Sequence, residues 1–129
     1  MSENFYKRMF FVGALWNLLG GIAIVGLTGK IFSSAKLTPP QPPLYYYAWI
    51  ALFMTFGIGY WMVSADMYGN RNIVILGMIG KLAFSVVFVA NIVLFRGQVP
   101  LLFLIPVTGD LVFVVLFWMF LRFAASRSR

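Results

Sequence analysis

Four long apolar runs separated by short polar breaks organise this chain. They cover residues 10–29, 45–65, 73–95 and 101–121. The apolar residues in each run are nearly continuous, with none of the strict alternation a lipid-facing barrel strand would show. At 1.5 Å per residue, about 20 residues of helix cross the roughly 30 Å of a bilayer's hydrocarbon core. Within lipid an open chain must satisfy its backbone polar groups inside each segment, which makes helix the conformation of choice. The pattern predicts an all-α, polytopic membrane protein. Short connections make successive helices antiparallel, so the expected architecture is an up-down four-transmembrane-helix bundle. Residues 1–129 should form a single transmembrane domain.

The breaks carry their own signals. Residues 30–44 hold Pro39, Pro40, Pro42 and Pro43, which predicts a stiff, extended, helix-free spacer. Residues 66–72 form a polar turn with Gly69 and Asn70, and Asn72 suits the N-cap of the third helix. Lys7 and Arg8 ahead of the first run, with Ser33-Ser34-Ala35 beyond it, have the outline of a cleaved secretory signal. The apolar stretch exceeds the usual ~7–15 residues of such signals, so a retained helix is expected.

Composition strengthens the membrane reading. The chain is 62% hydrophobic and 10% charged, with mean hydropathy +0.92, against about 25% charged residues in soluble domains. Cys and His are absent, which removes disulfides, thiolate clusters and histidine-held metals. No metal, cofactor or catalytic residue is therefore expected. The formal charge of +7 points to anionic lipid headgroups and not to nucleic acid. Lys7, Arg8, Arg71, Arg122, Arg127 and Arg129 fall on one side of the four spans, and Lys30, Lys36 and Arg96 on the other. Six against three places both termini in the cytoplasm.

Two charges interrupt the runs. Lys81 lies in the third and Asp110 in the fourth. A lone charge at membrane depth costs roughly 2.5 kcal/mol or more, so these two are expected to meet or to be solvated by something else. Counting from the cytoplasmic ends, Asn17 lies roughly 10 Å in, Lys81 roughly 12 Å, Thr55 and Asp110 roughly 15–16 Å and Ser85 about 18 Å. Every helix thus contributes to one polar layer. Gly77, Lys81 and Ser85 share a face of the third helix. Gly13, Asn17, Gly20 and Gly21 give the first a small-residue face suited to close packing. Gly57 and Gly59 remove bulk near Tyr60, and Pro106 is expected to disrupt the fourth helix beside Gly109 and Asp110. The candidate ligand-binding residues are Asn17, Thr55, Gly57, Tyr60, Lys81, Ser85 and Asp110. Three readings of this layer stay open: an ion pair that fixes helix register, a pocket for the polar head of an apolar ligand, or charges that face an oligomeric partner.

The segments Tyr6-Lys7-Arg8-Met9-Phe10, Gly13-Ala14-Leu15-Trp16-Asn17-Leu18, Gly57-Ile58-Gly59-Tyr60, Gly77-Met78-Ile79-Gly80-Lys81 and Gly109-Asp110-Leu111 resemble small bacterial four-helix membrane proteins of the DoxX-like kind. The resemblance spans nearly the whole chain. It implies a four-helix bundle in the bacterial inner membrane. Some proteins of that grouping look like subunits of quinone-linked oxidoreductases, and others like assembly helpers for larger membrane proteins. No catalytic residue carries over. The function expected is that of an accessory or partner-binding membrane protein whose Lys81–Asp110 site holds a lipid, quinone or other small apolar ligand. The alternative is a small homo-oligomeric carrier or channel that uses Asp110 as its cation or proton site. Expected partners are membrane lipids and either a second copy or a larger membrane complex.

Overall fold

The structure is a computed structural model that describes residues 2–127; Arg129, one of the six basic residues counted above, lies outside them. The described residues form helices and turns, with no strand. Helix α1 spans Glu3–Gly26, α2 Thr28–Ser34, α3 Leu44–Ala65, α4 Arg71–Leu94 and α5 Leu104–Arg127, the last preceded by a 3-10 turn at Leu101–Phe103. Four of these elements are long and apolar enough to cross a membrane, so the all-α, four-span architecture is present.

The chain divides into two compact units at the Gly69–Asn70 boundary. In the first, α1 and α3 run antiparallel. Ser64 Oγ near the end of α3 donates to the Lys7 carbonyl near the start of α1 at 3.1 Å, and at the other end the Thr28 and Tyr46 hydroxyls lie 3.4 Å apart. Close approach depends on glycine. A Cβ at Gly57 would lie 2.9 Å from Leu18 Cγ and 3.0 Å from Asn17 Cβ, and one at Gly21 would collide with the Met54 side chain. In the second unit, α4 and α5 are also antiparallel. Arg71 Nη2 donates to the Ala124 carbonyl at 3.4 Å, and at the opposite end the Phe88 and Phe103 rings are 6.3 Å apart.

The helix ends depart from the hydropathy pattern in four places. α1 begins seven residues before its apolar run because Ser2 caps it, accepting from the Phe5 N–H at 3.3 Å, and Glu3 sits in its first turn. The connection expected to be helix-free opens with α2; residues 37–43 are irregular, and the Gln41–Pro42 peptide is cis. Asn72 is not the N-cap of α4. The helix starts at Arg71, and Asn70 occupies the cap position without a side-chain bond that caps the helix. Pro106 is the third residue of α5. In a first turn its missing N–H removes no bond the helix relies on, so the disruption expected beside Asp110 is absent.

Candidate functional site

The polar side chains of the second unit follow from helical spacing. Val74, Gly77, Lys81 and Ser85 are the buried residues of α4, and Val107, Asp110, Phe113, Phe117, Phe120 and Ala124 those of α5. Both sets recur every three or four residues, which puts each on one helix face. Antiparallel packing sets Lys81 and Asp110 at the same level. Lys81 Nζ donates to Asp110 Oδ1, and the two side chains are 5% and 6% exposed. The Lys81 ammonium also lies 5.4 Å from the centroid of the Phe113 ring, within cation–π range. Phe113 was not legible as a neighbour of Lys81 from its apolar character; its place three residues after Asp110, on the same face, is the signal that could have found it.

Ser85, one turn beyond Lys81, differs from the exposed polar residues of the spans. Thr55, Asn91 and Thr108 are exposed, and each donates back to the carbonyl four residues earlier, at 2.8, 2.8 and 2.9 Å. Such back-bonding is how a hydroxyl or amide satisfies itself on an apolar helix. Ser85 is buried, yet its Oγ has no hydrogen-bond partner among the described residues. An unpaired buried hydroxyl costs roughly 1–3 kcal/mol. The site therefore combines a neutralised ion pair with a hydroxyl whose bonding capacity is unspent. It presents no net charge, and it offers hydrogen bonds at a depth where lipid offers none.

In the first unit Asn17 Nδ2 donates to the Phe53 carbonyl at 2.8 Å, while its buried Oδ1 has no partner among the described residues. Gly57 is buried beneath Asn17, and Tyr60 is buried one turn further along α3. The space that Gly57 and its neighbours were expected to open near Tyr60 is, at Gly57, taken by Ala14, Asn17 and Leu18. Six of the seven candidate residues are thus buried. Thr55 is the exception: it faces outward, so equal depth along a helix does not make it part of an interior layer. Among the described residues no three His, Cys, Asp or Glu side chains gather to hold a metal.

Sequence reasoning also missed a polar pocket at the opposite end of the first unit from α2. It has a volume of about 260 Å³, and Glu3, Lys7, Ser64, Asp66 and Tyr68 are among the residues that line it. Its signal was the placement of two of the chain's three acids at the ends of adjoining spans.

No protein-family model, curated protein or solved structure matches the chain.

Proposed function

We propose that this chain is an integral membrane accessory or partner-binding protein whose Lys81–Asp110–Ser85 site holds the polar head of a lipid, quinone or other small apolar ligand. The observation that carries the reading is the unpartnered, buried Ser85 hydroxyl beside a buried ion pair. An ion pair that served register alone would have no use for an unsatisfied hydroxyl one turn away. The neutrality of the pair favours an uncharged head over a free ion. Direct contact between Lys81 and Asp110 speaks against a carrier in which Asp110 alone takes a cation, because Lys81 already occupies that place.

The membrane is the bacterial inner membrane in this reading, with both termini cytoplasmic. The six-to-three distribution of Lys and Arg and the resemblance to DoxX-like proteins support this. Between 22% and 33% of each span is buried, which leaves broad apolar faces for lipid, a second copy or the helices of a larger complex.

The test is mild purification followed by mass spectrometry of co-purifying lipids and quinones, comparing the wild type with Ser85→Ala. The expected result is one enriched small apolar species that Ser85→Ala loses. If no such species appears, or if the variant retains it fully, the ligand reading fails and a structural role for the pair remains.

A further inference from the structure

The pocket lined by Glu3, Lys7, Ser64, Asp66 and Tyr68 is separate from the Lys81–Asp110 site, and it has features of its own that point to a ligand. It lies between the start of α1 and the end of α3, where both helices pass from apolar to polar sequence. In a membrane-spanning chain that is the headgroup level. Its volume of about 260 Å³ exceeds the roughly 150 Å³ of a cavity that admits benzene and falls below the ~300–1,000 Å³ typical of sites that enclose a whole drug-sized ligand. A headgroup fits these limits, with its acyl chains left along the lipid-facing helices.

The charges select which headgroup. Two of the chain's three carboxylates, Glu3 and Asp66, line one pocket of a protein whose formal charge is +7. The turn after α3 holds them there. Asp66 Oδ1 accepts from the N–H groups of Tyr68 at 3.2 Å and Gly69 at 2.9 Å, and the Tyr68 hydroxyl donates to Glu3 Oε1. Lys7 lies one turn from Glu3 on α1 and lines the same pocket, yet it makes no ion pair among the described residues. Ser64 is already satisfied by the Lys7 carbonyl and Asn4 adds only a neutral amide to the lining, so the charges of the rim are what distinguish one headgroup from another. An anionic headgroup would meet two carboxylates, and a simple cation would meet Lys7. A zwitterion with a phosphate at one end and a hydrogen-bonding ammonium at the other satisfies both signs. Carboxylates reward a primary ammonium, which has N–H donors, over a quaternary one, which has none.

We infer that this interfacial pocket binds the phosphoethanolamine headgroup of a phospholipid, its ammonium toward Glu3 and Asp66 and its phosphate toward Lys7. The assignment rests on the membrane-spanning reading and is independent of the Lys81–Asp110 ligand.

The experiment places the full chain in nanodiscs of equal parts phosphatidylethanolamine, phosphatidylcholine and phosphatidylglycerol and reads the lipids retained on release by native mass spectrometry. Phosphatidylethanolamine should be retained first. Glu3→Gln, which keeps an acceptor for Tyr68, should lower its retention relative to phosphatidylcholine about two- to fivefold, the scale of one exposed charge pair. Lys7→Gln should lower both lipids together and leave their ratio unchanged. Asp66→Asn, which keeps the turn's acceptor, repeats the Glu3 test should Glu3→Gln fail to fold. Phosphatidylglycerol retained first, or an unchanged ratio in a folded Glu3→Gln or Asp66→Asn variant, would overturn the proposal. So would displacement of the lipid by free phosphoethanolamine at matched concentration, which would mark the site as one for a soluble ligand. A chain that does not enter nanodiscs at all would instead overturn the membrane reading.

Discussion

Lys81 and Asp110 each carry the desolvation cost of a buried charge, and each offsets part of the other's. Removing one partner leaves the second alone in an apolar interior, at a cost of about 3–5 kcal/mol. Asp110→Asn and Lys81→Met should therefore each destabilise the protein strongly, and the double variant should lose much less than the sum. Reversible unfolding in mixed micelles measures this, and additive losses would refute the coupling. Ser85 gives the opposite expectation. Its hydroxyl bonds to nothing among the described residues, so Ser85→Ala should be neutral or slightly stabilising in ligand-free protein, within about 1 kcal/mol in the same assay. A larger loss would mean that the hydroxyl has a partner inside the fold. The contact between the two charges was legible in the sequence because their depths matched on adjacent antiparallel helices. Thr55 was misplaced by the same logic. Depth fixes a position along the helix axis but not around it, and a threonine can satisfy itself on its own helix by donating to the Ala51 carbonyl.

Hydropathy located the spans well and their ends poorly, and the reason lies at the level of the element. The apolar runs mark where the chain meets lipid. A helix continues until a cap or a turn stops it. α1 therefore extends back through the polar residues Asn4, Lys7 and Arg8 to the Ser2 cap, and α5 runs on through Arg122 to Arg127. The pocket at the start of α1 was only half legible: two acids at adjoining span ends mark its place, but its closure depends on a tertiary contact, Tyr68 with Glu3, across 65 positions of sequence. Glycine roles can be tested within single elements. Gly57→Ala would push a methyl group against Leu18 and Asn17 on α1, and overpacking of this kind costs about 1–3 kcal/mol. Gly29, inside α2, has nothing among the described residues within 4 Å of where a Cβ would sit. Gly29→Ala should thus be neutral or stabilise by up to about 1 kcal/mol through helix propensity. Thermal unfolding of the two variants separates them, and equal effects would show that Gly57 does not hold α1 and α3 together.

At the scale of the whole molecule, the placement of Lys and Arg bears on which way the chain lies in a membrane. Within the first unit the start of α1 and the end of α3 lie together, joined by Ser64 to the Lys7 carbonyl, and within the second the start of α4 and the end of α5 lie together, joined by Arg71 to the Ala124 carbonyl. These four ends carry Lys7, Arg8, Arg71, Arg122 and Arg127, whereas the opposite ends carry Lys30, Lys36 and Arg96. Because Lys and Arg near span ends are retained on the cytoplasmic side, the richer ends should face the cytoplasm. Reporters fused after residue 129 and within residues 36–43 should then register opposite compartments, cytoplasmic for the first and periplasmic for the second. The excess is small enough to be reversed by design. Replacing Lys7, Arg8 and Arg71 by Gln while adding two Lys within residues 36–43 would leave three positive residues on the first side, Arg122, Arg127 and the sequence's Arg129, and five on the second, and the reporters should exchange compartments. If both reporters keep their sides in that variant, the Lys and Arg distribution does not set the orientation. If the wild type reports a mixture, the chain inserts both ways, and antiparallel pairs of copies become the natural occupants of its exposed apolar faces.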